Sequence, residues 1–228
     1  MSVSTQNLPP KRIPLSRERV LRCALDLADE SGIASLTIRS LATSMGTRPM
    51  SLYHYVANKD EILDGIVDMV FDEIEPPSPA GEWRDQMHRR AHAVRNALKR
   101  HPWAVGLLET RASPGAATLR HHEATLATLR SAGFSVQMTA HAYALLDSYI
   151  YGAALQEAAL PFHGPDAASE VTSSIVKLFS DGQYPRLVEM ATEHVLKPGY
   201  DFGDEFDFGL NLILEGLARS ITAPEDGA

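Results

Sequence analysis

The segment from residue 48 to residue 59 carries side chains that are suited to contact a DNA duplex. The guanidinium of Arg48 can donate two hydrogen bonds to guanine, and Met50 can contact a thymine methyl group. Groups that can anchor phosphates follow at Ser51, Tyr53, Tyr55 and Lys59. These side chains form an interaction surface only if a short helix presents them together on its outward face, along with His54.

A second set of polar side chains lies in the segment 135–158, which is otherwise mainly apolar. Tyr143, Asp147 and Tyr151 recur at helical spacing and therefore share one helix face. A buried carboxylate needs a partner, and an apolar pocket with a few polar groups is typical of a small-molecule site. We interpret this face as part of a ligand pocket, with the alternative that Asp147 pairs with an arginine such as Arg111 for structure alone.

Two histidines raise the question of a metal site. His88 and His92 are four residues apart and can share a metal on one helix face. The sequence places no third ligand beside them, so we favour a solvated helix face and expect neither a metal nor another cofactor. The sequence also lacks a nucleophile elbow, a phosphate-binding glycine loop and a paired-carboxylate motif, and we do not expect an enzyme.

Helices must position these groups, and the sequence predicts an all-α fold with two domains. Residues 1–14 are polar and contain three prolines, which predicts a disordered arm. In the first domain, residues 15–75, the predicted helices cover 16–31, 37–45, 48–56 and 58–74. The two short helices, joined by a turn at Gly46 and with Leu52 and Val56 facing inward, have helix-turn-helix geometry.

The stretch EPPSPAG (75–81) separates this domain from a second helical domain over residues 82–221. The predicted helices of the second domain cover 82–100, 103–111, 115–131, 135–158, 169–180, 184–196 and 205–221. No segment alternates with a period of two residues, so no strand is expected.

The composition fits a soluble globular protein, with 44% hydrophobic and 22% charged residues among 228. There is no stretch of eighteen apolar residues and no secretory signal, and the single cysteine, Cys23, excludes an internal disulfide. We therefore expect a cytoplasmic protein without membrane contact. The net charge is −8, yet residues 1–63 carry eight basic and six acidic side chains, so a mildly basic head precedes an acidic body.

The segment LTIRSLATSMGTRPMSLYHYVANKDEILDGIVD (36–68) resembles the DNA-binding signature of the TetR (tetracycline-repressor) family. The preceding LSRERVLRCALDLADESGIASL (15–36) is similar to the first helix of that family. The resemblance implies phosphate contacts by Tyr53 and Lys59, and base contacts around Arg48–Ser51 and at His54 and Tyr55. The DNA-binding residues that we expect are Thr37, Arg39, Arg48, Pro49, Met50, Ser51, Tyr53, His54, Tyr55 and Lys59.

The second domain resembles the tetracycline-repressor branch of the family in the short motifs ETR (109–111), GFS (133–135), YGAAL (151–155) and FDFGLNLILEGL (206–217). This resemblance implies that the helices 135–158 and 205–221 pair with their mates in a dimeric four-helix bundle. The expected dimer contacts are Gly152, Ala153, Phe206, Leu210, Ile213, Leu214 and Leu217. The alternative is that the apolar stripe of the last helix packs within one chain.

One departure from the tetracycline repressors concerns the effector. In those proteins a histidine three residues before the Thr-Arg pair binds the drug-chelated magnesium, whereas here Leu107 precedes Thr110 and Arg111. His101 lies nearly two turns away and does not substitute for it. We therefore expect a different small molecule, mainly apolar and with a polar or cationic group. The expected ligand-binding residues are Leu107, Thr110, Arg111, Leu126, Ala140, Tyr143, Asp147 and Tyr151.

These features together predict a homodimeric repressor that binds a palindromic operator in double-stranded DNA and leaves it when a small-molecule effector binds. The alternatives are a helical adaptor that uses the head for protein contacts, and a metal-responsive regulator.

Overall fold

The structure, a computed structural model, describes residues 14–108, 110–159 and 184–222. The regular elements within these ranges are all helical, as the sequence predicts. No helix among them has the length and apolar character needed to cross a membrane. The chain divides into two compact units, Met1–Val67 and Asp68–Ala228. The predicted helix 169–180 and all but the last residue of the predicted arm 1–14 lie outside the described residues.

The first unit is built from short amphipathic helices. They are α1 (Arg17–Ser31), α2 (Ile38–Ser44), α3 (Pro49–Leu52) and the beginning of α4 (Lys59–Asp72), with a 3-10 turn over Ile33–Ser35. Helix α1 begins as predicted, because the Ser16 hydroxyl accepts a hydrogen bond from the backbone N–H of Arg19 at 3.2 Å. Its buried face carries Val20, Ala24 and Ala28, so the apolar periodicity of the sequence becomes the core of this unit.

Helix α3 is shorter than the predicted helix 48–56. Pro49 occupies its first turn, where the missing N–H costs nothing. After Leu52 the chain continues in turns, with the N–H of Tyr55 and of Val56 both donating to the Leu52 carbonyl at 2.9 and 3.1 Å. The segment keeps a helical bend without further regular helix, and Leu52 and Val56 are buried as predicted.

The second unit contains longer helices. They are α5 (Trp83–Arg100), α6 (Ala116–Ser131), α7 (Val136–Ala159), α8 (Pro185–Met190) and α9 (Phe202–Thr222), with a 3-10 turn over Pro102–Ala104 and a π-helical turn over Ala191–Val195. The predicted helix 103–111 is wrong, since turns follow the 3-10 segment at 105–108. Gly106 weakens helix formation there. The predicted helix 184–196 is confirmed in position, but its second half is π-helical.

The division between the units falls inside α4, before the predicted boundary at 75–81. The second half of α4 belongs to the body because of its side-chain contacts. Oδ1 of Asp68 accepts hydrogen bonds from the backbone N–H and the hydroxyl of Thr118, at 2.8 and 3.0 Å. The same carboxylate lies where a Cβ atom on Gly115 would point. Asp68 thereby fixes the start of α6.

Helix α7 lies at the centre of the body and packs against α5, α6 and α9. Arg95 of α5 forms a paired hydrogen bond with the Glu157 carboxylate, with both N–O distances at 2.8 Å. The Tyr149 hydroxyl donates to the Phe206 carbonyl at 2.9 Å, and the two rings stack. These contacts fix α5, α7 and α9 relative to one another.

Candidate functional site

The helix-turn-helix of the first unit is held by a capped helix and a tight turn. Thr37 Oγ1 accepts from the Ser40 N–H at 3.0 Å, while the Ser40 hydroxyl accepts from the Thr37 N–H at 2.9 Å, which forms a capping box at the start of α2. Gly46 adopts a φ of +61° in the turn, which favours glycine. The turn closes when the Thr47 N–H donates to the Ala42 carbonyl at 2.9 Å.

The outward surface of α3 exposes most of the predicted DNA-binding side chains. Met50 is 72% exposed and Tyr53 46% exposed, although both are large apolar side chains that usually seek burial. The other exposed members of the predicted set are Thr37, Arg39, Arg48, Pro49, His54 and Lys59, whereas Ser51 and Tyr55 are half-buried. The first unit therefore brings Arg48 and Met50 together at the start of α3.

The cationic groups of this surface have no partner in the part of the chain that the structure describes. Within the described residues, the side chains of Arg39, Arg48 and Lys59 form no ion pair or hydrogen bond. Thr37, by contrast, uses its hydroxyl to cap α2. The capping function of Thr37 was not part of the prediction and gives a structural reason for a threonine at that position.

Lys59 lies at the positive end of a helix, where a cation is unfavourable unless an anion is near. The predicted capping pair is present: Asn58 Oδ1 accepts from the Glu61 N–H at 2.8 Å. The Glu61 carboxylate accepts from the Ala57 N–H at 2.7 Å and from Arg17 at 3.1 Å. The bond from Ala57, followed by that from Arg17, lowers the pKa of Glu61. Lys59 and the N-terminus of α4 together favour a phosphate.

In the body, a buried polar network joins three helices. Arg90 of α5 is 2% exposed, and its Nη2 donates to Asp147 Oδ1 of α7 at 2.6 Å. Its Nε donates to Nε2 of His121, on α6, at 3.1 Å. The Tyr151 hydroxyl donates to the other Asp147 oxygen at 3.4 Å. The partner of Asp147 is thus Arg90 and not Arg111, the arginine named from the sequence.

His121 is neutral in this network. Burial, followed by the charges of the neighbouring Arg90 guanidinium and of His122, lowers the pKa of the imidazole to about 3. Because Nε2 accepts the Arg90 hydrogen bond, the single proton of the neutral ring lies on Nδ1. His121 Nδ1 and Arg90 Nη1 are both buried and lack a hydrogen-bond partner in the described part of the chain. Such donors are costly unless an acceptor reaches them.

The network changes the expected chemistry of the ligand. Asp147 was expected to orient a cationic group, but Arg90 already neutralises its carboxylate. The atoms of the network that lack a hydrogen-bond partner among the described residues, Nη1 of Arg90 and Nδ1 of His121, are both donors. Sequence reasoning missed Arg90 because arginine is rarely buried. A signal was present, since position 90 falls within the buried stripe that contains Met87, Ala91, Val94 and Leu98.

The other predicted ligand residues are only partly brought together. The Tyr143 ring lies 5.8 Å from the Arg90 guanidinium carbon, at the network. Leu107, Arg111 and Leu126 are half-buried. Thr110 is exposed and its hydroxyl donates to the Gly106 and Leu107 carbonyls. Ala140 is also exposed and lies near the start of α7, nearly two turns before the network, so its place in the pocket stays a prediction.

The predicted dimer contacts, which stay a prediction, are mostly covered within the single chain. Phe206, Leu210, Leu214 and Leu217 are buried within the single chain, and Ile213 is half-buried, so their apolar character requires no partner chain. The opposite face of α9 instead exposes Phe208 at 66% and Leu212 at 55%. Gly152 and Ala153 are half-buried on α7, beside the exposed Leu155.

The predicted solvated face of α5 is also only partly correct. His88 and His92 are half-buried, and a carboxylate from another helix, Asp207 of α9, lies within 4.8 Å of both imidazoles. The third potential ligand, which the sequence did not place, is thus present in the fold.

Comparison with known proteins gives consistent matches. Residues 75–221 match the family described as tetracyclin repressor-like, C-terminal domain. The chain is 32% identical over 220 residues to the HTH-type transcriptional repressor DrrR1 of Streptomyces coeruleorubidus, covering 91% of this chain and 80% of the relative. It is 28% identical over 222 residues to the class A tetracycline repressor from transposon 1721 of Escherichia coli, covering 93% and 98%. The ActR–actinorhodin complex from Streptomyces coelicolor superposes with a TM-score of 0.75 at 27% identity, covering 92% of this chain and 100% of ActR.

Proposed function

Since this chain belongs to the TetR family of transcriptional regulators, we propose that it is a homodimeric repressor that releases its operator when a small molecule binds the body. The observation that carries the proposal is the surface of α3, where Arg48 and Met50 are exposed and Arg48 has no partner in the described chain. Lys59 adds a phosphate-binding cation at the start of α4. Two such surfaces in a dimer would read half-sites about 34 Å apart, one turn of DNA.

The DNA surface is tested by gel-shift on the promoter region that flanks the gene of this protein. Arg48→Ala should weaken operator binding by about 1–3 kcal/mol and relax the preference at one base position. Lys59→Ala should weaken binding to all DNA sequences alike, and it should make the slope of log K against log salt concentration shallower by about one unit. Each change removes one positive charge, and the difference between them separates base reading from phosphate contact.

The matched control is Arg89→Ala, which removes the same charge from an exposed arginine of the body. We expect it to leave operator affinity and the salt slope at the wild-type values. If all three variants lost the same operator affinity, the loss would reflect the overall charge of the protein and not contacts of the head with DNA. Wild-type binding by both head variants would favour the alternative function, a helical adaptor whose head contacts proteins.

The proposed effector is a mainly apolar molecule with at least one hydrogen-bond acceptor, such as a carbonyl or carboxylate oxygen. The unpaired donors on Arg90 and His121 support this chemistry, and so does ActR, a relative crystallised with actinorhodin. We do not propose tetracycline–magnesium, because Leu107 occupies the position of the magnesium-binding histidine. The effector can release the operator only if it binds the conformation with low DNA affinity more tightly than the DNA-binding conformation. A 100-fold loss of operator affinity requires a difference of about 2.7 kcal/mol between these two binding free energies.

The effector site is tested with a thermal-shift screen of small molecules that includes actinorhodin and tetracycline with magnesium. His121→Phe keeps an aromatic ring but removes the Nδ1 donor. It should weaken binding of the best ligand at least tenfold, or about 1.4 kcal/mol, as measured by calorimetry. Operator affinity without ligand should stay within twofold of wild type. The control is His141→Phe, at an exposed position on α7. Unchanged ligand affinity would remove His121 from the pocket, and lost operator binding would make it a structural residue.

A further inference from the structure

The faces of α5 and α9 that meet at residues 88, 92 and 207 carry three groups of metal-ligating type. His88 and His92 are one turn apart on α5, and their ring centroids are 4.6 Å apart. Asp207 comes from α9, and one ligand atom from each of the three lies within 4.8 Å of the others. Two imidazoles and a carboxylate form a donor set that proteins use for first-row divalent metals.

The contact between His92 and Asp207 is not an ordinary hydrogen bond. His92 Nε2 and Asp207 Oδ1 are 2.8 Å apart and both atoms are buried, although the two side chains are partly exposed. Their geometry does not allow the ring N–H to point at the oxygen, and neither atom has another hydrogen-bond partner among the described residues. Two lone-pair atoms at this separation, neither bonded to the other, suit a cation that binds both.

The surrounding side chains hold the three ligands in place. The edge of the His92 ring packs on Phe206, with the centroids 5.3 Å apart, and Phe206 is buried. The Arg95 guanidinium carbon lies 5.0 Å from the Phe206 ring centroid, and Arg95 is paired with Glu157. The backbone positions of the ligands are thus fixed by helices that the core already joins.

This cluster is separate from the effector network. Arg90 lies between the two histidines in sequence, but two residues along a helix turn the side chain by about 200°. His88 and His92 therefore face α9, while Arg90 faces His121 and Asp147. The cluster also differs in position from Leu107, which occupies the place of the histidine that binds magnesium in the tetracycline repressors.

We propose that His88, His92 and Asp207 bind a divalent transition metal, with Zn²⁺ as the best match, and that the metal joins α5 to α9. In a tetrahedral ion with bond lengths of about 2.0–2.2 Å the ligand atoms lie about 3.3–3.6 Å apart, so His88 must move inward by up to about 1.5 Å from a separation of at most 4.8 Å. The fourth position of a tetrahedral ion stays open to water, because three protein ligands converge here among the described residues. The proposal does not depend on DNA binding by the head.

The experiment uses the full-length, tag-free chain after removal of metals with EDTA. Calorimetric titration with Zn²⁺ should give one ion per chain, and Co²⁺ should give the strong visible absorption of a tetrahedral site. His88→Gln, His92→Gln and Asp207→Asn each remove one ligand, and each should weaken Zn²⁺ binding at least tenfold and abolish the tetrahedral Co²⁺ bands. The melting temperature in EDTA identifies any variant that does not fold, and the other two then carry the test.

His141→Gln, an exposed histidine of α7, is the matched control and should bind Zn²⁺ as the wild type does. The wild-type melting temperature should rise with Zn²⁺, while that of the ligand variants should not. The proposal fails if the wild type binds no ion, or if the three ligand variants bind Zn²⁺ as tightly as the control does. In that outcome His92 and Asp207 form an ion pair only.

Discussion

The buried imidazole of His121 makes the stability of the body depend on pH. In the folded chain its pKa is lowered to about 3, first by burial and then by the charge of Arg90, from 6.5 for an unperturbed histidine. Between pH 6.5 and about pH 3 the ring therefore stays neutral in the folded state, whereas in the unfolded chain it takes up a proton. Between pH 6.5 and about pH 3 the unfolded state binds more protons, so the free energy of unfolding falls as the solution is acidified.

The size of the effect follows from the two pKa values. At pH 5 the solution is about 1.5 pH units below the pKa of the ring in the unfolded chain, and each unit changes the free energy of unfolding by about 1.4 kcal/mol. After subtraction of the small contribution at pH 7, His121 alone should lower the free energy of unfolding by about 2 kcal/mol between pH 7 and pH 5. The ring is buried, with 1% exposure, so solvent screens this contribution little.

The assay is urea unfolding of wild type, His121→Phe and His141→Phe at pH 7, 6 and 5, at one protein concentration. The His121 variant lacks the titrating group, so its unfolding free energy should fall by about 2 kcal/mol less than that of the wild type over this range. The exposed His141 control should follow the wild type. Parallel pH profiles for wild type and His121→Phe would refute the neutral, buried imidazole and, with it, the assignment of the Nδ1 proton.

Two further predictions concern the turn and the dimer. Gly46→Ala should lower the free energy of unfolding by about 1–2 kcal/mol by chemical denaturation, because φ is +61° although the added Cβ meets no atom within 4 Å. Gly106 has the same free space around an added Cβ but no positive φ, so Gly106→Ala should not lower the free energy of unfolding in this way. Equal losses of stability for the two variants would contradict the argument from the backbone angle. The double variant Phe208→Ser, Leu212→Ser should convert a dimer to the 24.9 kDa monomer in light scattering, whereas Leu119→Ser, at an exposed position on α6, should not. A monomeric wild type would end the dimer proposal.

The sequence was most informative where a local rule determines the structure. The caps at Ser16 and Asn58, and the inward positions of Leu52 and Val56, follow from side-chain bonding to the backbone and from helical spacing. These interactions span only a few residues, so a linear sequence contains all of their members. The existence of the exposed α3 surface could be predicted for the same reason.

The sequence was least informative where the partner of a side chain is distant along the chain. Arg90 and Asp147 are 57 positions apart, and a polar pattern on α7 alone could not identify which arginine neutralises the carboxylate. Likewise the apolar stripe at Phe206 and Leu210 is equally suited to a neighbouring helix or to a second chain. Asp207 is 115 positions beyond His92, so the third potential metal ligand was invisible until the helices were packed.

Asp68 also determines which sequences the body can tolerate at position 115. A Cβ atom there would overlap the carboxylate that holds the N–H and the hydroxyl of Thr118, so every residue larger than glycine must displace the group that starts α6. Gly46 is restricted by its backbone angle instead, which asparagine or aspartate can also adopt. A saturation library should therefore recover some asparagine at position 46 and only glycine at position 115, unless Asp68 changes in the same clone.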